Sequence, residues 1–302
     1  MNVLIVGLGS IAKKHITALR NSVNDVNLYA LRSSESAADY EDIVNVWSIA
    51  ELNTIQIDFA IVSNPTSQHV VTIKQLLALN CPLFIEKPLA DNLNFDNVLS
   101  EVKKKGIITY VACNLRFLHC IKFVKDQLDT GSKRLNEANI YCGSYLPDWR
   151  LGNFREYYSA KPELGGGVHL DLIHELDYTY WLFGEPASVS KTLSKNSSID
   201  VNVFDYANYA LNYKNFSASV ILNYYRRDPK RTLELVFDDE TWEVDLRQNS
   251  VVSGGRTLFQ STQTNTETYS DQMNYFVDIV KNGKPSFNSI EDSYNVLKIC
   301  LG

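Results

Sequence analysis

Three side chains have the type and placement for acid–base work at a polar carbon. Lys87 follows an apolar run (residues 83–85) and Glu86, and it precedes Pro88. A lysine there sits at the end of a strand, not on a solvated helix face. Asp171 and His174 lie in Gly165-Gly166-Gly167-Val168-His169-Leu170-Asp171-Leu172-Ile173-His174, a triple glycine feeding a helical pattern. Histidine titrates near neutrality, and an adjacent carboxylate can orient it. At i, i+3 the two side chains share a helix face. His169 would be a third metal ligand, but two residues from Asp171 it faces elsewhere. The acid–base pair is therefore preferred, and no metal is expected.

The glycine turn at the N-terminus supplies a second chemistry. Gly7-Leu8-Gly9-Ser10-Ile11-Ala12 is GxGxxA, directly after the apolar run 3–6 and opening a helical pattern. The first glycine permits a tight turn, the second lets backbone approach a pyrophosphate, and the small third residue lets helix and strand pack closely. The helix start offers N–H groups and a positive dipole end to phosphates. This is a dinucleotide-binding signature. The next strand ends Leu31-Arg32-Ser33-Ser34, with no acid before Glu35. Arg32 suits a 2′-phosphate and the serines can donate to it, which favours NADP over NAD.

Positioning these groups takes a fold, and the pattern supplies one. Apolar runs at 3–6, 26–31, 59–62, 83–85 and 107–112 alternate with helical spacing, so βαβ units and a doubly wound parallel sheet are expected over residues 1–118. Loops at strand ends carry Ser63-Asn64-Pro65-Thr66-Ser67-Gln68-His69 and Glu86-Lys87-Pro88, where ligands bind in such sheets. Residues 119–302 read as an α+β domain. A helix follows Phe117, Ile121, Val124 and Leu128, and an aromatic, Gly-rich stretch fills 141–167. One continuous helix is expected over about 168–183, antiparallel strands over 187–252 (Val201 and Val203 among them), and helices at 272–281 and 290–301. The last helix is left free to pack back on the first domain. A cleft between domains is the default ligand site.

Composition sets the class. The 302 residues carry 29 Lys and Arg against 35 Asp and Glu, a net charge of −6, with 45% hydrophobic and 21% charged. This excludes collagen, a wholly disordered chain and a coiled coil. An acidic chain without a basic face is not expected to take nucleic acid. The densest basic run, Lys103-Lys104-Lys105, reads as a helix end before Gly106. No run of 18 uncharged apolar residues suggests a membrane span, and the first residues lack a basic leader. Five cysteines, odd in number and without a CxxC pair, suit reduced thiols and a cytoplasmic location.

Taken in order, these motifs resemble the glucose–fructose oxidoreductase / inositol dehydrogenase family, Gfo/Idh/MocA. The resemblance rests on Gly7-Leu8-Gly9 with His15, Asn64-Pro65 with His69, Glu86-Lys87-Pro88, Asn114-Leu115-Arg116-Phe117, and the glycines before Asp171 and His174. It implies an N-terminal Rossmann domain and a C-terminal domain whose large, mostly antiparallel open sheet pairs copies into a homodimer or homotetramer. It implies hydride transfer between nicotinamide and a carbon of a sugar, amino sugar or nucleotide sugar. Gly7, Leu8, Gly9, Ser10, Ile11, Arg32, Ser33, Asn64, Pro65, His69, Glu86, Lys87 and Asn114 would hold NAD(P). Lys87 would bond the reacting oxygen, and His174 would be the general acid/base. Many members space the helix Asp and His by four residues; here the spacing is three, which puts the role of Asp171 in question. Trp149 and Arg150, with Tyr158, would contact the substrate, since aromatic faces stack on sugars and Arg pairs with anions. Two other readings share the fold: transient use of a tightly held cofactor for epimerisation or elimination, and a non-catalytic NADP-sensing module.

Overall fold

The computed structural model describes residues 1–302 except Glu35 and Ala37. Glu35, the first acid after the second strand, thus lies outside the described residues. The chain divides into two compact units: Met1–Cys113 with Tyr269–Gly302, and Asn114–Thr268. Everything from Tyr269 onward therefore counts with the first unit, where the sequence reading freed only the last helix to do so.

Six parallel strands form the first unit's sheet: β1 (Asn2–Val6), β2 (Asn27–Leu31), β3 (Val44–Val46), β4 (Phe59–Val62), β5 (Leu83–Glu86) and β6 (Thr109–Ala112). Their order is β3-β2-β1-β4-β5-β6. The order reverses beside β1, which places the switch point at the carboxyl ends of β1 and β4. β4, β5 and β6 are buried along their whole length. That explains their unbroken apolar runs, because helices cover both faces of a parallel sheet. The helices here are α1 (Ser10–Ser22), α2 (His69–Leu76) and α3 (Asp96–Lys105). α3 ends at Gly106 in the left-handed conformation, after three lysines in its last turn.

The second unit holds α4 (His119–Asp129) and an eight-stranded sheet. Its strands are β7 (Leu135–Tyr145), β8 (Ser188–Ser194), β9 (Tyr206–Asn212), β10 (Ser217–Asn223), β11 (Tyr225–Phe237), β12 (Thr241–Asp245), β13 (Ser250–Ser253) and β14 (Arg256–Gln260). The order is β14-β13-β12-β11-β7-β10-β9-β8, antiparallel except for the β7–β10 pair. One face is buried through Ala138, Ile140, Cys142, Ala218, Val220, Leu222, Leu233 and Leu235, and residues between them point outward. Such alternation is what a sheet covered on one side requires.

Several expectations need correction. The helix expected over 168–183 is two helices, α5 (Val168–Asp171) and α6 (His174–Phe183), separated by a turn at Leu172 and Ile173. Leu172 leaves helical geometry, with φ −99 and ψ 29, so Asp171 and His174 do not share the face of one helix. Val201 and Val203 are buried in a loop, not paired in a strand. β3, β7 and β14 are not among the expected strands, and β7 takes up the first residues of the stretch read as aromatic and Gly-rich.

The chain closes with α7 (Asn265–Asn282) and α8 (Ile290–Leu301). Phe276 of α7 packs edge-to-face on Phe59 and Phe84, with ring centroids 5.1 and 5.3 Å apart. Asn288 accepts the Val111 N–H (2.9 Å) and returns its side-chain amide to the Val111 carbonyl (2.9 Å), which covers the open edge of β6.

Candidate active site

The glycine turn is built as the sequence requires. Gly7 has φ +88, and a Cβ there would lie 2.3 Å from the backbone nitrogen of Asn64. No other residue fits. The Ser63 hydroxyl ties the turn down with its single proton, shared between the carbonyls of Gly7 (2.8 Å) and Val6 (3.1 Å). Gly9 caps α1 without a side-chain hydrogen bond, and a Cβ on it would meet nothing within 4 Å. The space beside Gly9 and the first N–H groups of α1, with Leu8, Ser10 and Ile11, form a cradle that an anion can enter. Ala12 is fully buried, as close packing on the sheet demands.

Asn64 presses on this turn from β4. Its amide donates to Thr72 (2.8 Å), while its Oδ1 is buried with no hydrogen-bond partner among the described residues. A buried acceptor without a donor is costly, so it suits a ligand that brings one. The Gly9 cradle and this waiting acceptor are what a nicotinamide dinucleotide would use, and the residues fit it. Pro65 opens the short turn that leads into His69.

His69 is the joint of this unit. Its Nδ1 lies 3.0 Å from the Pro88 carbonyl and its Nε2 2.9 Å from the Asn64 carbonyl. Burial holds the ring's pKa below the ordinary histidine value, and a neutral ring carries one N–H, so it donates to one carbonyl at a time. The Lys87–Pro88 peptide is cis. Glu86 lies beneath it: one carboxylate oxygen meets the fully buried His15, and the other accepts the Lys87 backbone N–H at 3.1 Å. Lys87 thus rides on a turn fixed from two sides, by His15 through Glu86 and by His69 through Pro88.

Arg32 donates to Asn45 (2.9 Å) and to the Ala38 carbonyl (3.2 Å). Asn45 in turn donates to Asp39 at 2.6 Å. Arg32 stands just past β2, as expected, but it braces the following loop. Ser33 is exposed beside it. Asn114 falls in the second unit, where its amide donates to Thr268 (2.7 Å) and Asn265 (3.1 Å).

In the second unit the triple glycine is a packing device. A Cβ on Gly166 would lie 2.6 to 2.8 Å from the carbonyls of Tyr158, Ser159 and Lys161, so only glycine lets that loop fold against it. Tyr158 donates its hydroxyl to the Gly165 carbonyl at 3.1 Å. Asp171 and His174, both largely buried, end α5 and start α6. The Tyr224 hydroxyl donates a short hydrogen bond to Asp171 Oδ2. Trp149 packs edge-to-face on Tyr224, with centroids 5.3 Å apart, and its indole N–H is engaged by Ser144 (2.9 Å). Arg150 lies over the Tyr157 ring. His169 packs on Phe204, and burial pushes its pKa down to about 4.

Sequence reading passed over Tyr224. The signal was the inward alternation Ala218, Val220, Leu222, Tyr224: a tyrosine ending a buried series must find a partner for its hydroxyl.

A parallel sheet in this strand order, with a glycine turn at its switch point and an anchored lysine two strands away, defines a nicotinamide-dinucleotide oxidoreductase. Residues 1–113 match the family described as "Oxidoreductase family, NAD-binding Rossmann fold", and residues 134–247 match the "GFO/IDH/MocA C-terminal domain". The chain belongs to the Gfo/Idh/MocA oxidoreductase family. It is 23% identical over 320 residues to the myo-inositol 2-dehydrogenase of Thermotoga maritima, covering 97% of this chain and 92% of that protein. Among solved structures, a levoglucosan dehydrogenase in complex with NADH and levoglucosan superposes with TM-score 0.84 at 18% identity, covering 99% of this chain and 95% of that one. A UDP-N-acetylglucosamine 3-dehydrogenase from Acidithiobacillus ferrooxidans superposes with TM-score 0.79 at 17% identity, covering 100% and 95%.

Proposed function

We propose that this protein is an NAD(P)-dependent dehydrogenase or reductase acting on a CH–OH carbon of a sugar, amino sugar or nucleotide sugar. The observation that carries the reading is His69. It ties the Asn64 turn, which abuts Gly7, to the turn that presents Lys87. A nucleotide-binding turn and the turn that carries an ammonium group then pack on one buried imidazole, which donates to one of them at a time. A bound nicotinamide would supply the hydride acceptor or donor. Lys87 bonds the reacting oxygen and stabilises its negative charge. His174 takes the hydroxyl proton in oxidation and returns it in reduction. Asp171 orients the reacting group or the imidazole. Trp149, Arg150 and Tyr158 contact substrate.

NADP is the favoured cofactor, read from Arg32, Ser33 and the lack of an acid before Glu35, with NAD the other possibility. The protein acts in the cytoplasm, as five buried thiols suit. Copies pair through the outward face of the eight-stranded sheet, where Tyr141, Tyr145 and Tyr225 stand.

The test is a panel of myo-inositol, scyllo-inositol, levoglucosan and UDP-N-acetylglucosamine, each with NAD+ and NADP+, followed at the reduced-nicotinamide absorbance. Turnover of at least one compound, abolished in His174→Ala, is expected. Turnover unchanged in both His174→Ala and Lys87→Ala would overturn the assignment.

A further inference from the structure

The three-residue spacing of Asp171 and His174 leaves open what aims the carboxylate. α5 stops at Asp171 and the chain turns at Leu172 and Ile173 before α6, so helix geometry does not relate the two side chains. Tyr224 does something a helix face would otherwise do. It is fully buried, and its hydroxyl donates to Asp171 Oδ2. Its backbone is fixed on both sides, by N–H to the Asp205 carbonyl (3.0 Å) and by carbonyl from the Leu146 N–H (2.8 Å). Its ring is fixed by Trp149, whose indole is held by Ser144 of β7. Hence the hydroxyl is delivered from the sheet with little rotational freedom.

We infer that Tyr224 is a positioning residue for the proposed reaction: anchored by Trp149 and the β7–β10 sheet, it holds the Asp171 carboxylate in its working orientation in place of a continuous helix. This rests on the reading of Asp171 and His174 as acid–base machinery. Burial and the neighbouring carboxylate keep the phenol protonated far above neutrality, so the hydroxyl acts as a donor to Asp171 throughout the working range. A charge-assisted hydrogen bond of this kind is directional and stronger than a neutral one. The inference also gives Trp149 a role as the buttress of Tyr224.

The experiment compares wild type, Tyr224→Phe, Asp171→Ala and the double variant, using the panel compound that wild type oxidises fastest. Tyr224→Phe is expected to lower kcat about tenfold, since misplacing a catalytic group costs rate more than binding. KM and the NADPH dissociation constant should change less than about twofold, because uniform binding is untouched. In the Asp171→Ala background, Tyr224→Phe should cost nothing further, because no carboxylate is left to aim. If Tyr224→Phe alone does not fold, equal kcat in Asp171→Ala and the double variant is the result expected. A wild-type kcat in Tyr224→Phe, or the same loss with and without the carboxylate, overturns the positioning role alone. A wild-type kcat in Asp171→Ala overturns the acid–base reading beneath it.

Discussion

His15 and Glu86 are 71 residues apart in sequence and meet in a buried contact beneath the turn that carries Lys87. The ring of His15 also packs edge-to-face on Phe84, centroids 4.8 Å apart, so helix α1 and strand β5 are locked at the level of the proposed reacting group. His15→Ala takes away one of the two partners of a buried carboxyl, leaving it the Lys87 N–H. A loss of about 1–3 kcal/mol is expected. Urea unfolding measures it, and a loss below about 1 kcal/mol would show the contact to be energetically idle.

Gly7 and Gly9 should separate fold from binding. Gly7→Ala places a Cβ 2.3 Å from Asn64 N in a left-handed backbone, so the thermal midpoint falls and cofactor binding is lost together. Gly9→Ala meets nothing in the chain. Its melting curve should match wild type while NADPH affinity drops about tenfold or more, as a methyl intrudes where a pyrophosphate approaches. Equal affinities in Gly9→Ala and wild type would place the cofactor elsewhere.

The choice of cofactor can be read at Arg32. If Arg32 reads a 2′-phosphate as proposed, Arg32→Ala should raise the NADPH dissociation constant about tenfold or more and leave NADH within about twofold, because a charge-assisted bond to that phosphate would be lost. Fluorescence titration with both cofactors decides it. Equal weakening of the two would mean that Arg32 acts through the loop it braces at Asn45 and Ala38.

Acid should destabilise the fold through two buried histidines. Burial lowers the pKa of His69, and it lowers that of His169 from 6.5 to about 4. The folded chain then binds fewer protons than the unfolded chain between about pH 6.5 and about 4. The contribution of His169 is whole above that window and is lost as pH falls through it, and His69 acts in the same direction. The thermal midpoint should drop between about pH 7 and about pH 5, and drop less in His169→Gln. A midpoint flat over this range would contradict the burial argument.

Much of the first unit was legible because its elements carry strong periodic signals. The apolar run 3–6, the glycine turn and the motif ending at Lys87 sit where expected. β3 escaped notice because it is three residues long with Val44 exposed. α7 begins seven residues before the expected 272, since Asn265-Thr266-Glu267 shows no apolar period. The break after Asp171 was invisible because Leu172 and Ile173 continue the apolar pattern while the backbone leaves the helix. The Tyr224–Asp171 bond joins residues 53 apart, and no local spacing announces it.

The stitch between Asn288 and Val111, together with Phe276 wedged against Phe59 and Phe84, has a consequence for biosynthesis. A ribosome that has delivered every βα repeat of the nucleotide-binding half has still not delivered its final wall. That half cannot close while its own ending is being translated, and in the meantime aromatic rings and a bare strand edge stay exposed. Truncation before the last two helices, downstream of every proposed reacting residue, is therefore expected to destabilise the nucleotide-binding half.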